Sequence, residues 1–224
     1  METTSLEHPP VRVRRWRGLG LLLAGALVLI AGLGLPLLRD SQARLRARGI
    51  PTFGNLPTFQ LTDQTGRTFS DADLRGEIVV ADFIFTRCPT VCPLLTAKMA
   101  RLQREARDKG LSVRFVSFSV DPRYDTPERL AAYAKTRHID TSNWSLLTGS
   151  LEDVETTVLE GFRVMMGRDA DAGDDDFLSI FHGEHFVLVD GEGRIRGYYR
   201  VVDEAGGLES LQRDLEALVR TRGG

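Results

Sequence analysis

Cysteine and histidine are scarce in this chain: two cysteines and four histidines in 224 residues. So few cysteines exclude a small scaffold stapled by several disulfides. Proline is absent after Pro127, which removes one way of shaping a groove against a late strand. Neither sign of charge is in surplus, since 29 Lys and Arg against 31 Asp and Glu leave a net charge of −2. With no sustained basic face as well, nucleic acid drops out as a partner. No internal repeat divides the sequence. Its 42% hydrophobic content suits one ordinary globular core.

What is present begins with an uncharged apolar run, Gly18 to Leu38, long enough to cross a bilayer core as a helix. Arg12, Arg14, Arg15 and Arg17 precede it, the pattern of a cytoplasmic N-terminus with the rest of the chain outside. Arg39, Arg44, Arg46 and Arg48 follow and reduce that bias. A cleaved signal ending in Ser41-Gln42-Ala43 is the rival reading, although the run exceeds a usual signal core. The expected organisation is therefore a basic N-terminus over 1–17, a transmembrane anchor over 18–38, a tether over 39–51 and one domain over 52–224. The expected location is the cytoplasmic membrane, single-pass, with the domain on the periplasmic side; the mitochondrial inner membrane is the lesser alternative.

Beyond the tether, "PTFQLTDQTGRTFS" reads as a hairpin turning at Thr65-Gly66. "EIVVADFIF", Glu77 to Phe85, is nearly continuously apolar, as a strand covered on both faces is. A helix of about twenty residues should follow and end near Gly110. "SVRFVSFSVDP" predicts a second strand, and "DTPERLAAYAKTRH" a helix with Pro127 in its first turn. "WSLLTG" is a further strand, and Ser150 with Asp153 forms a capping signal for a helix reaching Gly161. "HFVLVD" and "RIRGYY" flank Gly191-Glu192-Gly193 as an antiparallel hairpin, and Leu208, Leu211, Leu215 and Leu218 mark a closing amphipathic helix. This order gives an α/β fold of thioredoxin-like plan, a central mixed sheet flanked by helices, with an N-terminal hairpin extension.

Both cysteines lie in "FTRCPTVCPLLT". Cys88 falls at a strand-to-helix junction, where free backbone N–H groups favour a thiolate, and Cys92 is expected to share its helix face. The pair suits either a redox disulfide or a soft metal ion. Three intervening residues, not two, move it away from the ordinary dithiol oxidoreductase of this fold, and so does the missing late proline. A purely structural disulfide would close too short a loop to stabilise much. Asp82, six residues before Cys88, sits inside an apolar strand where an unpaired carboxylate is costly. It is read either as a proton-transfer group beside the cysteines or as an acid paired with a core hydroxyl or backbone group. Asp121 in "SVDP" is read either as a residue near the same site or as a turn former before Pro122.

With these residues in view, the chain resembles the Sco/SenC family of thioredoxin-like copper proteins, which help assemble the copper site of cytochrome c oxidase. The resemblance rests on "ADFIFTRCPTVCP", "FVSFSVDPRYDTPERLAAYA" and "HGEHFVLVDGEGRIRGYY", spread from about Phe53 to Leu218. It implies copper, as Cu(I) or Cu(II), held by Cys88, Cys92 and a distant histidine. The family position, eight residues before Asp190, is His182; here Gly183 stands where Ser or Thr is more common. His185 is the competitor, one residue out of phase with Phe186 and Leu188. His8 precedes the apolar run, and His138 ends a helix.

Two thiolates and an imidazole suit copper, and zinc accepts the same set with water as a fourth ligand. The implied partners are the copper-site subunit of the oxidase and an upstream periplasmic copper donor. The alternative function is a thiol-disulfide oxidoreductase acting through Cys88 and Cys92 on the client's cysteines. A peroxidase of the same fold would use Thr86 and Arg87 beside Cys88. Five aspartates between Asp169 and Asp176 read as a solvated loop, or as a docking surface for a basic partner. Met165 and Met166 read as packing at a helix end, or as thioether donors to copper.

Overall fold

The computed structural model describes residues 35–169, 176–202 and 206–222. Contacts divide the chain into Met1–Gln42 and Ala43–Gly224, and the strands belong to the second unit. Among the described residues no helix is long and apolar enough to cross a membrane. The Gly18–Leu38 run, apart from its last four residues, and Asp171, Asp174 and Asp175 lie outside them.

In chain order the main elements are α1 (Leu35–Gly49), β1 (Gly54–Asn55), β2 (Gln60–Asp63), β3 (Thr68–Ser70), β4 (Val79–Ile84), α2 (Val91–Asp108), β5 (Arg114–Ser119), α3 (Pro127–Thr136), β6 (Trp144–Thr148) and α4 (Leu151–Glu155). A π-helical turn, Thr156–Gly161, continues α4. Then come β7 (Met166–Arg168), β8 (Ile180–His182), β9 (His185–Val189), β10 (Arg194–Arg200) and α5 (Gly207–Arg222). Eight strands form one sheet in the order β1-β10-β9-β4-β5-β6-β2-β3, while β7 and β8 pair separately. The β4-β5-β6 core is parallel, and β9 joins β4 antiparallel, which makes the sheet mixed as expected.

The apolar run predicted as a doubly covered strand is β4, whose six residues are all buried. Phe83 stacks on Phe118, and Phe162 meets both rings edge-on or tilted, so the sheet centre is an aromatic cluster. Thr126 caps α3 by accepting from the Arg129 N–H, with Pro127 in the first turn. Ser150 caps α4 in the same way through Asp153. The predicted hairpins are β2–β3 and β9–β10, and Leu208, Leu211, Leu215 and Leu218 are buried.

Three features go beyond the sequence reading. The 39–51 segment read as a tether is helical to Gly49, and its end is docked: Ala47 and Ile50 are buried. Arg196 fixes it there, donating to the Ala47, Ile50 and Pro51 carbonyls while Nη1 binds Asp190 at 2.7 Å. The β7–β8 pair is the third, and it carries His182.

Candidate functional site

The strand β4 delivers the chain to a loop, Phe85 to Thr90, held from below by two buried aspartates. Asp125 accepts from the Thr86 N–H at 3.0 Å, from Thr86 Oγ1 at 2.5 Å and from Ser119 Oγ at 2.6 Å. Burial raises its pKa, and the three donors only partly offset this. Asp121 binds Arg87 Nε at 2.7 Å through one oxygen and Arg168 Nη2 at 3.2 Å through the other. Arg87 adjoins Cys88, and Arg168 lies on β7, so one carboxylate ties the cysteine loop to the hairpin that bears His182. Asp121 also forms the predicted turn, its carbonyl accepting from Tyr124 and Asp125. Sequence reading missed Asp125, whose only signal was a second acid four residues after Asp121.

Cys88 and Cys92 do not share a helix face as expected. Pro89 disfavours helical backbone at the residue before it, so Cys88 stays in the loop and α2 starts only at Val91. The sulfurs are neighbours nonetheless. The Cys92 thiol donates to the Cys88 sulfur, which lowers the Cys88 pKa to about 5 against the opposing effect of burial, with further help from the Cys92 and Thr90 backbone N–H groups. The same hydrogen bond, together with burial, pushes Cys92 up. The pair therefore gives up one proton readily and holds the second on Cys92. Both cysteines are free thiols.

His182 completes the group. Its Nε2 lies 3.5 Å from Cys92 Sγ, and Nδ1 is 3.2 Å from the Gly183 carbonyl. A carbonyl only accepts, so Nδ1 carries the hydrogen and Nε2 turns its lone pair to the sulfur, the tautomer a metal ligand needs. Burial lowers the His182 pKa and keeps the ring neutral, and Phe85 fixes it edge-on at 5.8 Å between centroids. Cys88 and His182 Nε2 thus both adjoin the Cys92 sulfur. Among the described residues no trio of His, Cys, Asp or Glu is already closed into a metal-binding arrangement. The three side chains are adjacent donors of the kind a thiophilic cation takes up, with loss of the thiol protons.

Asp82 lies beneath them, fully buried, and neither carboxyl oxygen has a hydrogen-bond partner. Desolvation raises its pKa to about 7, and the Ser117 hydroxyl, opposite on β5, opposes this; Ser117 Oγ accepts from Trp144 Nε1 and keeps its own hydrogen to donate. The charge of Asp82 also helps raise Cys92. His185 is half-buried at the start of β9. Met166 packs in the core, whereas Met165 is 72% exposed. Thr86 and Arg87, the residues of the peroxidase reading, bind Asp125 and Asp121. Asp176, last of the five loop aspartates, caps a short turn by accepting from the Leu178 N–H.

A cleft of about 580 Å³ opens at His182, lined by Phe53, Met165, Phe181, His185 and Tyr198 among others. A second cavity, about 690 Å³, lies against α1 and the β9–β10 turn and shares none of these residues.

A family model described as SCO1/SenC matches residues 52–219. A curated relative, the SCO1 protein homolog of Bacillus subtilis, is 36% identical over 146 residues, covering 65% of this chain and 73% of its own. Among solved structures, BsSco, described as having a disulfide switch and as a member of the Sco family of cytochrome c oxidase assembly proteins, superposes with a TM-score of 0.65 at 31% identity. That match covers 76% of this chain and 96% of the other. Bradyrhizobium japonicum ScoI, solved with copper bound, has a TM-score of 0.59 at 26% identity, covering 72% of this chain and 98% of its own.

Proposed function

This chain belongs to the SCO1/SenC family, and from that premise we propose that it is a membrane-anchored copper carrier serving cytochrome c oxidase assembly. Copper is its cargo, held by Cys88, Cys92 and His182, taken from an upstream donor and passed to the copper-site subunit of the oxidase. The observation that carries this reading is His182 Nε2 at 3.5 Å from the Cys92 sulfur, which Cys88 also adjoins. Thiolates favour Cu(I), and the imidazole adds a borderline donor that also tolerates Cu(II). The copper-bound Bradyrhizobium relative supports the choice of metal. Three ligands leave an open position, through which an acceptor's ligands replace these one by one. The anchor reading rests on the Gly18–Leu38 run and its preceding arginines.

A second reading, thiol-disulfide exchange with the client's cysteines, is favoured by one observation: a thiolate on Cys88 beside a protonated Cys92 is also what such exchange needs. The two readings exclude each other in time, because oxidised cysteines cannot hold copper.

Titrating copper into the reduced full chain, alongside His182→Ala, tests the proposal. The expected result is one equivalent bound with sulfur-to-Cu(II) charge-transfer absorption. In the variant, affinity should fall by more than the roughly 10–100-fold that loss of an outer-shell partner costs. Unchanged affinity removes His182 from the site. Rapid disulfide reduction by a chain with no copper affinity selects the second reading.

A further inference from the structure

Met165 has no packing role: it is 72% exposed, while its neighbour Met166 fills the core. It stands at the mouth of the cleft that leads to His182, and His185 lines the same cleft. Both are gathered at Gly183. The Gly183 N–H donates to the Met165 carbonyl at 2.8 Å, which brings the two backbones together. On its other side, a Cβ at position 183 would come within 3.2 Å of His185 Nδ1 and 2.8 Å of Val164 Cγ1. The imidazole of His185 thus occupies space that a side chain at 183 would contest. Tyr198 holds the ring edge-on, 6.5 Å between centroids.

We infer that Met165 and His185 form an accessory site for a soft monovalent cation, Cu(I) in the setting proposed above, at the entrance to the Cys88, Cys92 and His182 group. A thioether and an imidazole are both neutral donors that accept Cu(I) and compete poorly for harder ions. Arg163 lines the same cleft, so its charge keeps the affinity for a cation low. A weak site beside a strong one is a stepping point for ligand exchange. Copper leaves a thiolate or imidazole of the inner group for the Met165 thioether or His185 nitrogen, with no change of oxidation state and no proton lost by the methionine. The stepping role rests on the copper-carrier reading; the cation site itself does not.

The test uses Ag(I), a closed-shell probe of the same charge, added to the reduced full chain and followed by NMR of methionine methyl and histidine ring resonances. The first equivalent should move the His182 ring. The second should move the Met165 methyl and the His185 ring and leave Met166 and His138 in place. Met165→Leu and His185→Gln should each weaken the second equivalent at least roughly tenfold and leave the first intact. Gly183→Ser, which crowds the His185 ring, should weaken it similarly. A second equivalent that leaves Met165 and His185 unmoved, or that binds equally well in both variants, overturns the accessory site. A first equivalent that spares His182 counts against the carrier reading alone.

Discussion

Asp82→Asn is expected to gain on the order of 4 kcal/mol of stability relative to the unsubstituted chain as pH rises from 4 to 8. The buried carboxyl holds its proton to about pH 7, while in the unfolded chain it ionises near 3.8. Between these values the unfolded state has lost a proton that the folded state keeps. Stability therefore falls as pH rises through this window, at about 1.4 kcal/mol per pH unit, and levels off above it. Asparagine has no proton to lose, so whatever its amide costs in the same buried position is the same at every pH. Denaturant unfolding of both proteins from pH 4 to pH 8 reads the difference directly. Curves that stay parallel across that range would show that Asp82 is not held neutral by burial.

Arg196→Met is expected to cost 3–5 kcal/mol, the usual range when one member of a buried ion pair is removed. The guanidinium serves four acceptors at once: Asp190 Oδ2 and the carbonyls of Ala47, Ile50 and Pro51. Asp190 keeps Arg194 and two backbone N–H donors, so its carboxylate is not wholly stranded. The carbonyls at the end of α1 lose the guanidinium that donates to them, and the segment should open. Faster tryptic cleavage at Arg44, Arg46 or Arg48, together with a lower urea midpoint, is the expected result. Lysine at this position should recover only part of the loss, because one ammonium cannot span the same acceptors. An unchanged midpoint with unchanged cleavage would mean that Arg196 does not dock α1.

The same two residues mark where the sequence was easy and hard to read. Strand β4 was legible because an unbroken apolar run leaves no solvated face, and Asp82 stood out against it. Arg196 was not: in "RIRGYY" strict alternation turns it to solvent, but the register shifts between Ile195 and Gly197, and this bulge buries both Ile195 and Arg196. The low pKa of Cys88 was foreseeable from its place ahead of a helix. Its partner Cys92 was named correctly, but the shared helix face was not, because the restriction that Pro89 puts on Cys88 outweighs helical spacing. The β7–β8 pair escaped notice since an acidic loop separates two three-residue strands too short to show a period. The position of His182 was legible only through the family resemblance; nothing local distinguishes it from His185.

The central claim is that Cys88, Cys92 and His182 act together on one copper ion. X-ray absorption at the copper edge, on the reduced full chain loaded with one equivalent, tests it most directly. The account predicts two sulfur scatterers and one imidazole nitrogen, with the nitrogen lost in His182→Ala and retained in His185→Gln. A first shell without sulfur, or one whose nitrogen survives removal of His182, would contradict it.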